Sequence, residues 1–368
     1  MASTLKEISQ AAGTSVSTAS LILNGRQAHR FTEATQAAVI KAADQLGYRP
    51  QRAAQSLVTG KTSNVAVIVN SLTNPFFARY ASLIQAGLVK QGFTATPIEI
   101  RSEDMQSKGM WMEWIDQRAV DAVIDLQGVM QVGPKMAKVY NKFSEHRPIV
   151  FRQLIDCPEL ATHAGVIVDY TSGYQAMAKH LAEIGCREVG FVTVRGHLPV
   201  LCGDEQLDPG HGQFPAMIQQ ALKDARLNCP DHYFRGVSDE RADSNDWCEC
   251  TYDLLSKEPQ IQSLIVHNLD AVPAALHGIR LAGRELGRDL TLVSFDDMPL
   301  ARWLGPGITV VHEPAHEVAA AMVDLVLNEM AGERPAGHKR VLSTRLHIRG
   351  STDSSWLPHS PHRDSFAK

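Results

Sequence analysis

The chain has 368 residues, of which 44% are hydrophobic and 21% are charged, and its formal net charge is −4. This is the composition of a folded globular protein; it excludes a disordered or fibrous chain, and the length allows more than one domain. No apolar run approaches ~18 residues and no segment has the pattern of a cleavable signal, so we expect a cytoplasmic protein with no membrane partner.

Charge is distributed unevenly along the chain. Residues 1–62 hold seven basic and three acidic side chains, a net charge of +4, which leaves −8 for the remainder. A basic end on an acidic body is the electrostatic pattern of nucleic-acid binding.

Six scattered cysteines lack the spacing of a disulfide framework and indicate free thiols.

The first fifty residues carry the signals of short helices. Thr4 and Glu7 can form a capping box for a helix that ends near Gly13, and Ser15 can cap a second helix that ends at Leu23. Two helices joined by a tight glycine-containing turn predict a helix-turn-helix, whose second helix enters the major groove. Spacing alone does not distinguish this module from an ordinary helical hairpin.

Further helices follow before the composition changes. Thr32 can cap a third helix that is closed by Gly47, and Pro50 precedes a shorter helical run over residues 51–58 and a T-G-K-T-S linker. From residue 65, short β-rich runs alternate with helical segments, which predicts parallel sheets of βαβ units.

The alternation extends over about 280 residues, more than one compact unit, so we expect two similar subdomains with a boundary near residues 156–164. Candidate strands are 65–69, 95–100, 122–126, 149–151, 166–169, 188–194, 263–266 and 290–295. Candidate helices include 77–91, 172–184, 214–225, 271–282 and 315–331.

Several stretches of the chain resemble the LacI/GalR family of bacterial transcription regulators. They are T-L-K-E-I-S-Q-A-A-G-T-S-V-S-T-A-S-L-I-L-N-G, R-F-T-E-A-T, L-G-Y-R-P-Q-R-A-A-Q-S-L, N-P-F-F, L-G-R-D-L, V-S-F-D-D-M-P-L-A-R and I-T-V-V-H-E-P. The resemblance covers nearly the whole chain. It implies an all-α helix-turn-helix domain and an α/β body of two doubly wound parallel-sheet lobes, of the periplasmic-binding-protein type.

The resemblance also implies the domain limits. We expect a DNA-binding helix-turn-helix domain over residues 1–48, a hinge helix and linker over 49–63, and a two-lobed effector-binding and dimerisation domain over 64–350. The polar, proline-containing segment 351–368 is expected to be a disordered tail.

The DNA contacts that the resemblance implies fall into three groups. Phosphate contacts position the protein and base contacts specify the sequence. The start of the second helix would read bases and nearby residues would hold phosphates, while the hinge helix would insert Leu57 into the minor groove and bend the duplex; the alternative for Leu57 is a linker leucine packed on the body. The expected DNA-binding residues are Thr4, Leu5, Ser15, Val16, Ser17, Thr18, Ser20, Leu21, Asn24, Arg30, Gln51, Arg52, Ala54 and Leu57.

Leu21 points away from the apolar face that Ala19, Ile22 and Leu23 form at helical spacing. A leucine makes only apolar contacts, and the thymine methyl is the apolar feature of the major groove. We therefore expect A·T pairs under Leu21 in each operator half-site. The alternative is that Leu21 packs against Arg30 or Phe31.

Ligands of open α/β sheets bind beyond the carboxyl ends of the strands. Asn70, Ser71, Gln127, Gln153, Asp169, Asn268 and Asp296 follow predicted strands there. By family position, the best effector-binding candidates are Asn70, Asn74, Phe76, Asn268 and Asp296, followed by Gln153, Asp169 and Asp270. Amides and carboxylates around an apolar ring suit a sugar or related polyol, although any one of them can equally be a cap or turn residue.

One position departs from the family pattern. An arginine that reaches the effector usually lies four residues before the start of the helix after strand 188–194, and Gly210 occupies that position here. Arg195 or Arg152 can substitute, or the long loop can present Asp204, Asp208 or His211.

Two motifs are similar to enzyme motifs but lack a feature that each enzyme class requires. G-K-T at residues 60–62 lacks the first glycine of a phosphate-binding loop, because Gln55 stands there. H-E-P-A-H at residues 312–316 matches H-E-x-x-H, but Pro314 interrupts it and a strand precedes it, so His312 and His316 are expected to straddle a strand-to-helix junction. We expect no enzyme activity, no cofactor and no bound metal.

The sequence thus predicts a transcriptional regulator, a repressor, that binds a pseudo-palindromic operator as a homodimer. Double-stranded DNA and a small sugar-like effector are its expected partners, and it would act on the nucleoid in the cytoplasm. The alternative is a solute-binding protein whose N-terminus binds other proteins. Salt-sensitive binding to a specific duplex would favour the regulator.

Overall fold

The computed structural model describes residues 3–23, 30–48, 56, 60–100, 117, 119–129, 134–154, 156–194, 213–237, 244–333 and 337–352. The chain divides into two compact units, residues 1–63 with 118–120, and residues 64–117 with 121–368. Among the helices of the described ranges, none is long and apolar enough to cross a membrane.

The N-terminal unit contains the three predicted helices, α1 Leu5–Ala11, α2 Val16–Leu23 and α3 Glu33–Gln45. Each is capped as the sequence indicates, by Thr4, Ser15 and Thr32. Apolar side chains at helical spacing meet in one small core. Its buried members are Ile8, Ala19, Ile22, Val39, Ala42 and Ala43.

The second unit contains two six-stranded sheets with helices packed on them. The strands are β1 Asn64–Val69, β2 Thr94–Glu99, β3 Ala122–Val129, β4 Ile149–Gln153, β5 Ala164–Asp169, β6 Val189–Val194, β7 Phe234–Val237, β8 Ser263–Val266, β9 Thr291–Phe295, β10 Thr309–His312, β11 Lys339–Ser343 and β12 Arg345–His347. The helices are α4 Pro75–Lys90, α5 Pro134–Ser144, α6 Thr171–Glu183, α7 Gln213–Asp224, α8 Ser244–Lys257, α9 Val272–Leu281 and α10 Ala315–Ala331.

The strand order confirms the predicted fold class. The first sheet runs β11-β5-β4-β3-β1-β2 and is parallel throughout. The second sheet runs β12-β10-β9-β8-β6-β7 and is parallel except for the β10–β12 pair. We call the two sheets, with the helices packed on them, the first and the second lobe.

The predicted lobe boundary near residues 156–164 is wrong. The strand β5 still pairs in the first sheet, and α6, which follows it, packs on β10 and β12 of the second lobe. The chain later returns to the first lobe through α10 and β11, then crosses again to β12 at Thr344. In the described residues, the lobes are therefore joined at three places, after β5, after β10 and at Thr344.

The predicted tail also begins too early at Ser351. Ser351 and Thr352 are buried, and the Ser351 hydroxyl donates to the Leu292 carbonyl at 2.6 Å and accepts from the Thr309 amide at 2.9 Å. The polar sequence does not indicate this burial, because the partners of Ser351 lie 42 and 59 positions earlier in the chain. Buried polar groups of this kind are stable when they are hydrogen-bonded.

We expect His163 to make the stability of the first lobe depend on pH. It is buried and its Nε2 lies 2.9 Å from Asn141 Oδ1; burial, together with the Lys339 charge, lowers its pKa to about 4. Because the unfolded state, with an ordinary pKa near 6.5, binds the proton more readily, the free energy of unfolding falls as pH drops from about 6.5 towards 4. We expect a loss of about 2 kcal/mol by pH 5.

The measurement is urea unfolding at pH 7.5 and pH 5 of the wild type and of His163→Gln, which keeps a donor and does not titrate. The pH-dependent loss in His163→Gln should be smaller than in the wild type by about 2 kcal/mol. Equal losses in both proteins would show that His163 does not carry the effect.

Candidate nucleic-acid interface and interlobe cleft

The start of α2 presents a solvent-facing surface. Val16 is 45% exposed, and Ser15 and Ser17 are also exposed. Leu21 is half-buried, and it is not among the side chains packed against the small core, whereas Leu23 is. The structure therefore brings the predicted base-reading residues together on the side of α2 that the core leaves uncovered.

Two residues predicted to hold phosphates also cap helices. Thr4 Oγ1 accepts from the Glu7 amide and donates to the Glu7 carboxylate, while the Glu7 carboxylate accepts from the Thr4 amide at 2.7 Å. These hydrogen bonds from Thr4 lower the pKa of Glu7. Ser15 Oγ accepts from the Thr18 amide at 3.0 Å and lies 2.8 Å from the Thr18 hydroxyl.

The structure describes three of the remaining predicted DNA-binding residues and does not describe five others. Leu5, Ser20 and Arg30 are described, with Leu5 and Ser20 half-buried and Arg30 exposed. Five predicted residues lie outside the described residues, namely Asn24, Gln51, Arg52, Ala54 and Leu57, and so do Arg195 and the loop over residues 196–212.

The carboxyl end of the first sheet carries amides that already have partners. Gln127 Nε2 donates to Asn70 Oδ1 at 2.7 Å and to the Ile100 carbonyl at 2.8 Å. Asn74 caps α4, because its Oδ1 accepts from the Phe76 amide at 2.9 Å. Asp169 Oδ1 likewise accepts from the Thr171 amide at 2.9 Å, at the start of α6.

Gln153 lies at the end of β4 but has a packing role. Its Oε1 accepts from the Cys157 amide, and its Nε2 is buried without a hydrogen-bond partner, close above Gly165 of β5. A Cβ on Gly165 would stand 2.8 Å from this Nε2. The side chain thus lies over the neighbouring strand.

The carboxyl end of the second sheet carries Asn268, Asp270 and Asp296. Asn268 and Asp296 are half-buried and Asp270 is exposed. Asp296 has φ +69°, a left-handed conformation that is uncommon for a residue other than glycine and is often found at functional sites. Desolvation, reinforced by the Glu313 carboxylate, raises the pKa of Asp296 to about 8.

A buried ion pair ties the first lobe to the crossing that follows β10. Arg152, on β4 of the first sheet, donates from Nε to Glu313 Oε1 at 2.9 Å and from Nη2 to Glu313 Oε2. Glu313 directly follows β10 of the second sheet, and both side chains are less than 6% exposed. The hydroxyls of Tyr80 and Tyr170 also donate to the Glu313 carboxylate.

The surroundings of this pair favour its charged form. Desolvation would raise the pKa of Glu313, but the Arg152 charge and the hydrogen bonds outweigh it and hold that pKa below its ordinary value. The Arg152 guanidinium also lies 5.1 Å from the centre of the Phe76 ring, a cation–π contact. Phe76 and Arg152 are thus adjacent at the junction of the lobes.

Sequence reasoning found only part of this cluster. Phe76 and Arg152 were candidates, but Tyr80, Tyr170 and Glu313 were not. Glu313 could have been predicted, because it immediately follows a strand as the other candidates do. In the H-E-P-A-H motif, only the two histidines were considered as possible ligands. Those histidines do straddle a junction, as predicted, since His312 ends β10 and His316 lies in α10.

Comparison with known proteins finds a match to part of each unit. Residues 4–51 match the model of the lacI family of bacterial regulatory proteins, and residues 178–352 match that of a periplasmic binding protein-like domain. The chain is 25% identical over 330 residues to the transcriptional repressor PurR of Aliivibrio salmonicida, covering 89% of this chain and 92% of PurR. It is 22% identical to the repressor CytR of Escherichia coli, covering 95% and 96% of the two chains.

Solved structures share the fold. The Lac repressor dimer bound to operator and the anti-inducer ONPF superimposes with a TM-score of 0.79 at 17% identity, covering 96% of this chain and 99% of that one. The complex of the regulator CelR with cellobiose gives a TM-score of 0.65 at 22% identity, covering 95% and 99%.

Proposed function

Because the chain belongs to the LacI family of bacterial regulatory proteins, we propose that it is a transcriptional repressor that binds a pseudo-palindromic operator as a homodimer in the cytoplasm. A small effector in the cleft between the lobes controls this binding. The exposed start of α2, with Ser15, Val16 and Ser17, supports binding to DNA. The same chain contains two lobes and a buried ion pair where they meet, which supports control by an effector between the lobes.

DNA recognition is assigned to α2 and the hinge. Val16, Ser17, Ser20 and Leu21 face base edges, and the apolar Leu21 selects the thymine methyl of an A·T pair. Thr4, Leu5, Ser15, Thr18, Asn24 and Arg30 are assigned to contacts with the DNA backbone, and Gln51, Arg52, Ala54 and Leu57 are assigned to contacts in the minor groove. An unvarying G·C pair under Leu21 in selected operators would contradict its role.

The effector is a sugar or a related polyol. The half-exposed Phe76 ring offers an apolar surface, and Asn70, Asn268 and Asp296 offer hydrogen-bonding groups at strand ends, which is how sugars are held. The CelR structure described above contains cellobiose. Asp169, Asp270, Asn74 and Gln153 are secondary candidates, and the cap and packing contacts of Asp169, Asn74 and Gln153 make their role indirect.

The experiment that identifies the effector is a thermal-shift screen of the full chain against sugars, sugar acids, polyols and nucleobases. A ligand at 100 times its dissociation constant adds about 2.7 kcal/mol of stability. A hit should lose its effect in Phe76→Ala and keep it in Phe93→Ala, a control in which the aromatic side chain lies before β2. Equal shifts in both variants would place the ligand elsewhere.

Dimer formation is assigned to a surface that includes Trp303. This side chain is 81% exposed and Leu300, in the same turn, is 46% exposed, so an apolar patch is open to a partner. Aromatic side chains of this kind are the usual anchors of interfaces. We expect Trp303→Asp to weaken the dimer at least about 30-fold, which corresponds to about 2 kcal/mol.

Sedimentation equilibrium over a range of concentrations measures this change. The control is Val341→Asp, which alters a 62% exposed apolar residue on the edge strand β11 of the first sheet. An unchanged dimer in Trp303→Asp would assign the interface to another surface.

A further inference from the structure

We infer that Asp297, His312 and His347 form a binding site for a divalent transition-metal ion of the Zn²⁺ type. The three side chains come from three segments of the second lobe: Asp297 follows β9, His312 ends β10 and His347 ends β12. In the antiparallel β10–β12 pair, His347 stands opposite Val310, two residues before His312, so both histidines face the same side of the sheet.

The potential ligand atoms lie close together. Nδ1 of His347 is 2.7 Å and Nδ1 of His312 is 3.8 Å from the same oxygen, Asp297 Oδ2. One ligand atom from each of the three residues lies within 4.8 Å of the other two. These separations allow one ion to contact all three atoms at the ~2.0–2.2 Å bond lengths of zinc.

The chemistry of the donors fits an ion of this class. Two imidazoles and a carboxylate suit zinc and its neighbours in the first transition row, and three protein ligands leave one position for water. His312 Nδ1 is buried and has no hydrogen-bond partner, so an ion would satisfy an otherwise orphaned acceptor. The His347 side chain is 40% exposed, which gives the ion a path from solvent.

A second layer of contacts orients the carboxylate. Arg349 donates to Asp297 Oδ1 at 2.6 Å, which leaves Oδ2 directed to the histidines, and Arg79 donates to the Asp297 carbonyl at 2.8 Å. The imidazole rings are stacked at 4.5 Å with a 14° interplanar angle. They must tilt about χ2, a torsion with broad minima, for both nitrogens to point at one ion.

The site adjoins the proposed effector site along the chain. Asp296 precedes Asp297, and Glu313 follows His312, so an ion would fix two strand ends that carry residues of the cleft. We therefore expect the ion to change the affinity for the effector. This coupling rests on the proposed function, whereas metal binding itself does not.

Equilibrium dialysis of the chelator-treated full chain with Zn²⁺, together with the visible absorption of Co²⁺, tests the site. The chain has 15 histidines and six cysteines, so other sites can contribute, and the comparison of variants decides. His312→Gln and His347→Gln should each bind one equivalent less than the wild type. His316→Gln, which alters an exposed histidine of the same segment, should bind as much as the wild type.

Equal stoichiometry in the wild type and in His347→Gln would overturn the assignment, and so would an equal loss in His316→Gln. Thermal unfolding without metal checks that each variant folds. Should His312→Gln fail to fold, His347→Gln decides alone, because its more exposed side chain tolerates the exchange. The test measures binding without DNA or effector, so its outcome is independent of the proposed function.

Discussion

Arg152→Met is expected to lower the free energy of unfolding by about 3–5 kcal/mol, because it leaves a buried carboxylate without its counter-charge. Glu313 is 3% exposed and receives hydrogen bonds from Arg152, Tyr80 and Tyr170. Removal of the guanidinium leaves two hydroxyl donors, which do not compensate a full negative charge in a desolvated position.

Urea unfolding of four variants, each compared with the wild type, separates the cost of breaking the pair from the value of the pair itself. Arg152→Met and Glu313→Gln should each be strongly destabilised. The double variant Arg152→Met/Glu313→Leu should recover only part of the loss: a buried ion pair replaced by apolar groups is often close to neutral, but the hydroxyls of Tyr80 and Tyr170 then lose their acceptor. Lys179→Met breaks the exposed Lys179–Glu183 pair and should change stability by less than about 1 kcal/mol.

A loss below about 1 kcal/mol in Arg152→Met would show that the ion pair does not hold the lobes as the structure indicates. Because Arg152 lies on β4 of the first lobe and Glu313 lies in the crossing between the lobes that follows β10, the same variants should also change the effector affinity. That change would be a separate result, measured by the thermal shift with the effector.

Gly278→Ala is expected to destabilise the second lobe by about 3 kcal/mol, at the upper end of the usual cost of overpacking. Gly278 lies in α9, where the helix contacts α8. A Cβ there would stand 2.4 Å from the Cys248 carbonyl and 2.9 Å from Thr251 Cβ. The nearest obstacle is backbone, so the two helices must separate.

Gly87→Ala is the matched control, because Gly87 also lies inside a helix, α4, and carries the same change. The three atoms nearest to its Cβ would all belong to the Val323 side chain, the closest being a methyl group at 3.1 Å. A side chain can shift, and alanine is the better helix former by about 1 kcal/mol, so the net effect should be near zero. Equal unfolding midpoints for the two variants would contradict the tight α8–α9 contact.

The sequence predicted most elements of the fold because burial imposes a period. Strand 263–266 and helix 315–331 were predicted to the residue, and the N-terminal helices followed from their caps. The strands β11 and β12 were missed because they are short and none of their residues is buried, so they show no apolar period. The lobe boundary was misplaced because the hydrophobic pattern of a segment does not show which strands pair with one another.

The candidate site was predictable only in outline. The rule that ligands lie beyond strand ends selected Asn70, Asp169 and Asp296, and all three lie at the carboxyl ends of strands. The Arg152–Glu313 pair depends on two residues 161 positions apart that meet only when both lobes have formed. Local sequence contains no signal for such a contact.

We infer that a DNA-binding module and an effector-binding body are coupled in one chain. The direct test is binding to a duplex selected from genomic fragments, with and without the effector, by the full chain and by a module truncated after Lys61. The full chain should bind a pseudo-palindrome with steep salt dependence, and the effector should change its affinity about tenfold, or 1.4 kcal/mol, while the module binds weakly and without response. An effector response retained by the module, or no salt-sensitive specific binding by the full chain, would contradict the claim.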